Sequence, residues 1–368
     1  MTSSDLLSLS IPLHGGPDAE GKPAFDFSTN SNACGPCPNA LRAVQLADAA
    51  RYPDPAYTAL RAALGAFHRV DPGRVVLAAS ASEFIHRITA LAAAQGVAHV
   101  AVPLHSYGDY AQAALVRGLE VVRGSAGGAA GLQWACEPSS PLGVEDTAAH
   151  LWKHGVAGCA DDQSGEASAW RVLDCAYAPL RMDANAAWRG EPSPQVPSAC
   201  WQLWTPNKAL GLTGVRAAYA IAPAGCEAQV RVLTALAPSW PVGAHGVALL
   251  HAWVQAPVQE WLVQSLATLR EWKARQLALC RQLGWAVHPG SLANYFCAQP
   301  ATATLAGDLA ALRASGIKLR DAASFGLPGT VRMGVLAPAA QDALQVAWQA
   351  LRGRTIPGSV PTGIGETL

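Results

Sequence analysis

The stretch Thr205-Pro-Asn-Lys208-Ala-Leu-Gly-Leu-Thr-Gly-Val-Arg216 places a single lysine between two apolar runs. The first run, 201–204, leads into the stretch, and the second, 215–221, leads out of it. Such runs are typical of buried strands, so we expect Lys208 to lie in the loop that joins two of them. A buried ammonium carries a desolvation cost, and that cost disappears when the amine loses its charge to an imine.

Imine chemistry favours a cofactor with a carbonyl group at this lysine. Pyridoxal 5'-phosphate (PLP) binds enzymes in this way, as a Schiff base. Arg216, in the same loop, has a guanidinium fork that suits the phosphate of the cofactor. The alternative is a strand-edge lysine whose ammonium group reaches water. The motifs that surround Lys208 favour the cofactor.

The composition is that of a large folded chain with few charges. Of 368 residues, 51% are hydrophobic and 14% are charged, with 26 basic and 26 acidic residues. This balance excludes the basic field of a nucleic-acid-binding protein, so we expect a small-molecule ligand that a few charges recognise. Residues 1–13 lack the basic region of a signal peptide, and no apolar run approaches the roughly 18 residues of a membrane span. We expect a cytoplasmic protein without a membrane partner.

The nine cysteines are scattered through the chain. Scattered thiols in a large chain indicate a reducing compartment rather than a disulfide framework. Cys34 and Cys37 have the spacing of a redox pair, but no second pair or Cys/His cluster accompanies them. We therefore predict neither thiol chemistry nor a metal site there.

Short apolar strands alternate with helical patterns from about residue 74 to residue 221. This order predicts an α/β fold with a mostly parallel central sheet that is covered on both faces, and a site at the carboxyl ends of its strands. After Gly225 the pattern changes to long helices and short strands, which predicts a smaller α+β C-terminal domain. The predicted organisation is an N-terminal arm (1–37), a large PLP-binding α/β domain (38–223), a small C-terminal domain (224–354) and a flexible tail (355–368).

Asp174 ends an apolar strand, and one predicted strand separates it from Lys208. An anionic carboxylate there suits a protonated pyridine nitrogen and keeps the ring able to accept electrons. Tyr177 can donate to the phenolate oxygen of the ring. The alternative is an aspartate that caps a turn after a strand. The position relative to Lys208 favours the functional interpretation.

Two further loops carry candidate contacts to the cofactor. Small residues at 79–82 join a strand to a helix, and the first turn of a helix can bind a phosphate through its free N–H groups. Tyr107 follows the next strand and can stack on a planar ring. The alternatives are an ordinary serine-capped helix and an aromatic side chain packed in the core.

Arg332 is a cation inside an apolar strand, and a buried arginine needs an anionic partner. Either an internal carboxylate or a substrate anion serves, and the guanidinium fork suits a carboxylate. Arg320 is a second candidate of the same kind, and Asn32 is a neutral donor in the arm. Structural pairing remains the alternative for each of them.

Together these segments resemble the fold-type I PLP enzymes, the aspartate-aminotransferase superfamily, over roughly residues 10–352. Within it the chain is most similar to the cobalamin-pathway L-threonine O-3-phosphate decarboxylases, which are sisters of the histidinol-phosphate aminotransferases. The motifs that carry the resemblance are His14-Gly-Gly16, Asp26-Phe-Ser-Thr-Asn30-Ser-Asn32, Arg51-Tyr52-Pro-Asp54, Ala293-Asn294-Tyr295 and Arg320-Asp-Ala-Ala-Ser-Phe-Gly326. The His-Gly-Gly arm is typical of the decarboxylase group.

The resemblance assigns a role to each candidate residue. It implies that Lys208 forms the Schiff base, that Asp174 pairs with the pyridine nitrogen, and that Tyr177 contacts the phenolate oxygen. Tyr107 would stack on the ring, and Tyr52 would reach the cofactor phosphate from the other subunit of a homodimer with shared sites. The phosphate would be held by Ala81, Ser82, Thr205 and Arg216; the substrate carboxylate by Asn32 and Arg332; and the substrate phosphate by His14 and Arg320.

The chain departs from the family pattern at three positions of the cofactor site. Ser140 replaces the asparagine that bonds the ring oxygen, Asn207 stands where serine usually precedes the lysine, and Ser80 stands where glycine usually opens the phosphate loop. Because Lys208 and Asp174 remain, we still expect PLP to bind. The substrate and the rate depend more strongly on such changes.

The reaction depends on which bond of the substrate is held perpendicular to the ring, and a sequence shows this poorly. The first hypothesis is decarboxylation of L-threonine O-3-phosphate in cobalamin biosynthesis, because of the His-Gly-Gly arm. The alternative is a histidinol-phosphate-type aminotransferase. A further alternative, prompted by Ser140, is a protein of this fold that binds a ligand without turnover.

Overall fold

The computed structural model describes residues 15–124, 131–154, 170–183, 187–192 and 199–353. His14 and the predicted tail, 355–368, lie outside these ranges. The strands are β1 (Phe25–Asp26), β2 (Val75–Ala78), β3 (His99–Val102), β4 (Glu120–Arg123), β5 (Leu132–Cys136), β6 (Trp170–Asp174), β7 (Trp201–Trp204), β8 (Ala218–Ile221), β9 (Ala286–Val287), β10 (Tyr295–Gln299), β11 (Ile317–Lys318), β12 (Arg320–Asp321) and β13 (Val331–Gly334).

Helices follow most of these strands. They are α1 (Pro38–Gln45), α2 (Thr58–His68), α3 (Ala81–Ala94), α4 (Gly108–Leu115), α5 (Thr147–His154), α6 (Glu227–Ala235), α7 (Ala244–Trp253), α8 (Ala256–Gln282), α9 (Leu305–Ala314) and α10 (Pro338–Gly353). Local sequence fixes several of their ends: Pro38 starts α1 at a position where its missing N–H costs nothing, and Ser80 caps α3.

A seven-stranded sheet in the order β2-β8-β7-β6-β5-β3-β4 confirms the predicted, mostly parallel α/β architecture. Neighbouring strands from β7 to β4 are parallel, and β8 runs antiparallel to both of its neighbours. The carboxyl ends of β2, β3, β5, β6 and β7 therefore meet at one edge of the sheet. In such a sheet, this is the edge at which ligands bind.

Both faces of the large sheet are covered by apolar helix faces. Helices α3, α4 and α6 cover one face through side chains such as Ile88, Tyr110 and Leu233. Helices α1, α2, α7 and α8 cover the other face, and this core continues to side chains of the smaller sheet such as Phe296. Because both faces are buried, the central strands are mainly apolar instead of alternating between apolar and polar residues.

The smaller sheet has four antiparallel strands in the order β12-β13-β10-β9. Two of the short strands, β11 (Ile317–Lys318) and β12 (Arg320–Asp321), are separated by a single residue but pair with different partners. Strand β11 pairs in parallel with β1 of the arm, whereas β12 pairs with β13. The buried residue Leu319 lies between the two pairings, where the chain passes from one sheet to the other.

Seven cysteines of the described chain are free thiols. Burial raises the pKa of Cys34 to about 11 and also raises the pKa of Cys37, so this pair is poorly suited to thiolate chemistry. Cys226 is disulfide-bonded, which the interpretation of scattered thiols did not anticipate. Among the described helices, none is long and apolar enough to cross a membrane.

Candidate active site

Asp174 lies at the carboxyl end of β6 with its carboxylate buried between two donors. The hydroxyl of Tyr110 donates to Oδ2 at 2.7 Å, and the backbone N–H of Ala176 donates to Oδ1 at 2.9 Å. Burial raises the pKa of Asp174, while the Tyr110 hydrogen bond and the positive charge of Lys208 lower it. The carboxylate is therefore held in place by groups that favour its ionised form.

Lys208 lies in the loop after β7, in the position that the sequence predicted. Its Nζ lies 5.3 Å from the centre of the Tyr177 ring. The hydroxyl of Tyr177 accepts a 3.1 Å hydrogen bond from Nδ2 of Asn30, a residue of the arm. Lys208, Asp174 and Tyr177 are thus brought together at one edge of the sheet, and the arm closes over them.

Two asparagines shape the lysine loop. The backbone N–H of Lys208 donates to Oδ1 of Asn207 at 3.0 Å, and the backbone N–H of Asn32 donates to the carbonyl of Lys208 at 2.9 Å. The side chain of Asn32 donates to the Ala209 carbonyl and to the Ser265 hydroxyl, and it accepts from the N–H of Cys34. Its polar atoms are therefore used within the protein, where they hold the loop that carries the lysine.

The loop before α3 forms a cradle for an anion. The Ser80 hydroxyl accepts from the N–H of Glu83, which leaves the first two helical amides, those of Ala81 and Ser82, without an intrahelical acceptor. The hydroxyl of Ser82 lies 3.2 Å from that of Tyr107. Such a helix terminus is an anion site.

Thr205 provides an independent test of whether PLP fits. Thr205 is 5% exposed, and its hydroxyl has no hydrogen-bond partner among the described residues. A buried hydroxyl without a partner is costly, and a phosphate oxygen would satisfy it. Arg216 is exposed and forms no ion pair with any residue in the described ranges, so its guanidinium is available. The residues present therefore fit the cofactor.

Arg332 and Arg320 lie directly opposite each other in β13 and β12. Arg332 is 8% exposed and donates to the Ser28 carbonyl at 3.2 Å and, at 3.5 Å, to the Ser140 hydroxyl. It has no acidic partner within the described chain, and its Nε is unpaired there. Arg320 donates to the Ser324 hydroxyl at 2.7 Å. Burial and the charge of Arg332 lower the pKa of Arg320. Two buried cations side by side attract an anion.

Tyr295 connects this arginine pair to the lysine. The Arg332 Cζ lies 5.9 Å from the Tyr295 ring centre, and the Tyr295 and Tyr177 rings meet edge to face at 4.7 Å. Tyr295 is itself fixed by a 2.7 Å hydrogen bond from its hydroxyl to the Ser139 carbonyl. The anion-binding end and the amine-bearing end of the site are thus joined by two packed aromatic rings.

Tyr52 lies on the surface with 77% of its area exposed. Its ring stacks on Trp240 with a centre-to-centre distance of 4.3 Å, and the Trp240 indole donates to the Pro53 carbonyl at 3.0 Å. The resemblance assigns Tyr52 to the site of a second subunit, and its exposure in the single chain leaves it available for such a contact.

Sequence reasoning missed three side chains that complete the site: Tyr110, Asn30 and Phe325. Tyr110 follows Tyr107 by three residues at the start of one helix, a spacing that places both on one face. The hydrogen bond of Asn30 to Tyr177 and the position of Phe325 against both arginines depend on how the arm and the smaller sheet fold back onto the large sheet. Local patterns do not predict such contacts.

Comparison with known proteins identifies the family to which the chain belongs. The family model for aminotransferase class I and II matches residues 22–132 and 166–351. The histidinol-phosphate aminotransferase of Rhodospirillum rubrum is 28% identical over 344 residues, covering 88% of each chain. That of Jannaschia sp. is 26% identical over 329 residues, covering 85% of this chain and 87% of the relative.

Solved structures share the fold at lower sequence identity. The histidinol-phosphate aminotransferase from Sinorhizobium meliloti, in complex with pyridoxal-5'-phosphate, superposes with a TM-score of 0.75 at 19% identity, covering 95% of this chain and 98% of that one. L-Threonine-O-3-phosphate decarboxylase from Porphyromonas gingivalis gives a TM-score of 0.68 at 19% identity, covering 89% and 99%. The extent of the family match and the geometry around Lys208 lead to one conclusion: the chain belongs to the class I and II aminotransferase family and is a PLP-dependent enzyme.

Proposed function

We propose that this enzyme transfers the amino group of a phosphorylated amine, as a histidinol-phosphate-type aminotransferase. The observation that carries the proposal is the pair Arg320 and Arg332, two buried guanidinium groups that face each other across neighbouring strands. Because Arg332 has no acid partner in the described chain, an anionic substrate group supplies the missing charge. A phosphate or a carboxylate suits the guanidinium fork.

The proposed reaction assigns a role to each residue at the cofactor end of the site. When bound, PLP accepts the electron pair released at the substrate Cα. Lys208 would move the proton at the substrate Cα, and Asp174 would pair with the pyridine nitrogen of the cofactor. Tyr177, whose hydroxyl accepts a hydrogen bond from Asn30, would contact the ring oxygen. Thr205 and the first turn of α3 would hold the phosphate.

The relatives favour transamination over the decarboxylation that sequence analysis ranked first. The curated relatives that match most of the chain carry the name histidinol-phosphate aminotransferase. The alternative of a ligand-binding protein without turnover has no support from them, since they are enzymes by name. The cytoplasmic location, the domain boundaries and the homodimer with shared sites stay predictions.

Decarboxylation of L-threonine O-3-phosphate is kept as a second candidate because of the arm. The N–H of Gly16 donates to the Ser28 hydroxyl at 2.8 Å, and a Cβ added at Gly15 would lie 2.2 Å from the Ser28 carbonyl oxygen. That same carbonyl accepts the hydrogen bond from Arg332. The Gly-Gly segment of the decarboxylase-type arm is therefore packed next to the proposed anion site.

One assay of the purified, PLP-loaded enzyme separates these functions. It supplies histidinol phosphate with 2-oxoglutarate and measures glutamate, and in parallel it supplies L-threonine O-3-phosphate and measures CO₂. We expect glutamate at a rate well above that of the Lys208→Ala variant. CO₂ release without glutamate would replace the proposal with the second candidate. No product from either substrate, with a normal cofactor absorbance band that is lost in Lys208→Ala, would contradict both.

A further inference from the structure

His105 lies three residues after β3, in the loop that also carries Tyr107. Its Nδ1 lies 2.8 Å from the carbonyl oxygen of Phe325, a residue that follows β12 in the smaller sheet. Since a carbonyl only accepts, Nδ1 carries the proton of this hydrogen bond. The bond therefore forms with the imidazole in either its neutral or its protonated state. It connects the large sheet to the smaller one.

Phe325 contacts both members of the arginine pair. The Cζ of Arg320 lies 4.9 Å from the centre of the Phe325 ring, and the Cζ of Arg332 lies 5.2 Å from it. Ser324, the preceding residue, accepts the hydrogen bond from Nη2 of Arg320. The short turn Ala323–Phe325 is therefore one wall of the anion site, and a shift of this turn moves the surroundings of both guanidinium groups.

The backbone next to Phe325 is adapted to a close approach of the histidine. Gly326 has a φ of +80°, and a Cβ added there would lie 3.3 Å from Nδ1 of His105. A side chain at this position would thus be strained by the backbone and would press on the imidazole. The N–H of Gly326 donates to the Ala323 carbonyl at 2.9 Å, which closes the turn.

The loop 105–107 is the link between the two ends of the site. Tyr107, whose hydroxyl lies 3.2 Å from that of Ser82, belongs to the cofactor end. His105, two residues earlier, is hydrogen-bonded to the wall of the anion end. A single short segment therefore contacts both the loop that would hold the cofactor phosphate and the turn beside the arginine pair.

We propose that His105 is a positioning residue for the anionic end of the substrate, because it fixes the Phe325 turn against which Arg320 and Arg332 pack. The inference deepens the proposed function and rests on it: it concerns substrates that carry a phosphate group at the end remote from the reacting amine. His105 acts through Phe325, without contact to the reacting atoms.

The test compares two substitutions of His105. The asparagine side chain places an N–H close to the position of Nδ1, so His105→Asn keeps the hydrogen bond, whereas His105→Leu removes it. We expect His105→Leu to raise the KM for the phosphorylated amine about fivefold, the effect of one hydrogen bond, with kcat changed less than about twofold. His105→Asn should restore the wild-type KM. His99→Leu, at an exposed histidine in the strand β3 that precedes this loop, is the matched control and should have no effect.

Two further quantities are measured for each variant. They are the KM for glutamate in the reverse half-reaction and the melting temperature. Unchanged KM values in His105→Leu, or equal values for the leucine and asparagine variants, would overturn the proposal. A drop in melting temperature with no selective change for the phosphorylated substrate would overturn it as well, since a purely structural contact acts in this way.

The proposed function and this inference are separated by a binding measurement. If the wild-type holoenzyme does not turn over phosphorylated amines, the proposed function fails. Calorimetric titration of the PLP-loaded proteins with inorganic phosphate then decides the inference, because the cofactor already fills its own phosphate cradle. Weaker phosphate binding by His105→Leu than by His105→Asn supports it, and equal or undetectable binding in both overturns it.

Discussion

The hydroxyl of Tyr110, in helix α4, donates a 2.7 Å hydrogen bond to Oδ2 of Asp174, the last residue of strand β6. Tyr110 is fully buried, and its ring stacks on Trp134 at 4.6 Å with an angle of 8° between the planes. The phenol is therefore held in one orientation by packing. The hydrogen bond from the Tyr110 hydroxyl lowers the pKa of Asp174, whereas burial of the carboxylate raises it.

Replacing Tyr110 with phenylalanine should weaken cofactor binding without unfolding the protein. Loss of the hydrogen bond raises the pKa of Asp174 further, so a larger fraction of the carboxyl is protonated and the charged partner of the pyridine nitrogen is weakened. Hydrogen bonds to charged groups contribute about 1.5–3 kcal/mol, so we expect PLP affinity to fall about tenfold or more. Titration of the apoenzyme with PLP, followed by tryptophan fluorescence, measures this.

Tyr57→Phe is the matched control for this substitution. Its buried hydroxyl donates to the Val242 carbonyl at 2.8 Å, away from Asp174. Removing it should lower stability without changing PLP affinity. Equal PLP affinities for Tyr110→Phe and the wild type would show that the hydrogen bond to Asp174 has no role in holding the cofactor.

Replacing Arg332 with methionine should separate stability from function. Removal of a structural arginine destabilises the fold strongly when the arginine is paired with a buried acid, because the acid is left without its counter-charge. Arg332 lacks such an acid in the described chain, so we expect the free energy of unfolding to be unchanged or increased. For an anionic substrate, kcat/KM should fall roughly a hundredfold, because a buried charge-assisted contact is lost. This corresponds to about 3 kcal/mol of transition-state stabilisation. Denaturation curves and steady-state kinetics on the same preparations measure both.

Arg181→Met is a suitable control, since Arg181 forms ion pairs with Glu137 and Asp183. Its replacement should destabilise the protein because Glu137 and Asp183 both lose their ion pair with Arg181. If Arg332→Met destabilised the protein as much as Arg181→Met and retained its activity, Arg332 would be a structural residue.

Much of the cofactor end of the site could be predicted from sequence because its chemistry is local. Asp174 ends one apolar strand and Lys208 lies in the loop after another, and the carboxyl end of a parallel strand has a defined place in the fold. Residues 79–82 were expected to join a strand to a helix, and helix α3 begins at Ala81 because Ser80 is a strong N-terminal cap. The direction of β8 could not be predicted, since an apolar strand buried on both faces has the same pattern in either direction.

The anion end was predicted less completely because it depends on contacts between distant segments. Arg320 and Arg332 were recognised as buried cations, but their direct opposition follows from the pairing of β12 with β13. The polar atoms of Asn32 suggested a substrate contact, and in the structure they bond to Ala209, Ser265 and Cys34. Which of several neighbours satisfies a buried amide is decided by tertiary packing, and a single sequence does not contain that information.

His68 should make the protein sensitive to acid. Burial lowers the pKa of His68 to about 3, and its Nε2 lies 2.8 Å from the Tyr219 hydroxyl within an aromatic cluster. Between about pH 6.5 and pH 3 the unfolded chain binds a proton at this residue and the folded chain does not. The free energy of unfolding therefore falls as the pH is lowered through that window, by up to about 1.4 kcal/mol for each pH unit.

The contribution of His68 can be isolated with His68→Gln, which keeps a donor near Tyr219 and does not titrate. Denaturant unfolding at pH 7, 6 and 5 should show a smaller loss of stability for the variant than for the wild type. Carboxylates contribute a slope of the same sign to both proteins, so the difference between the two slopes belongs to the histidine. Parallel slopes would contradict the predicted role of His68.

Mixing two inactive variants should restore activity if Tyr52 completes the site of a second subunit. Lys208→Ala lacks the reactive amine, and Tyr52→Ala lacks the exposed ring that stacks on Trp240. In a mixed dimer, the site that keeps Lys208 receives its tyrosine from the Lys208→Ala subunit, so one of the two sites is complete. Random reassortment of equal amounts should give about a quarter of the wild-type activity. Activity measured after the mixture is denatured and refolded, compared with each variant treated alone, tests this. A mixture no more active than the average of its components would show that Tyr52 acts within its own chain or not at all.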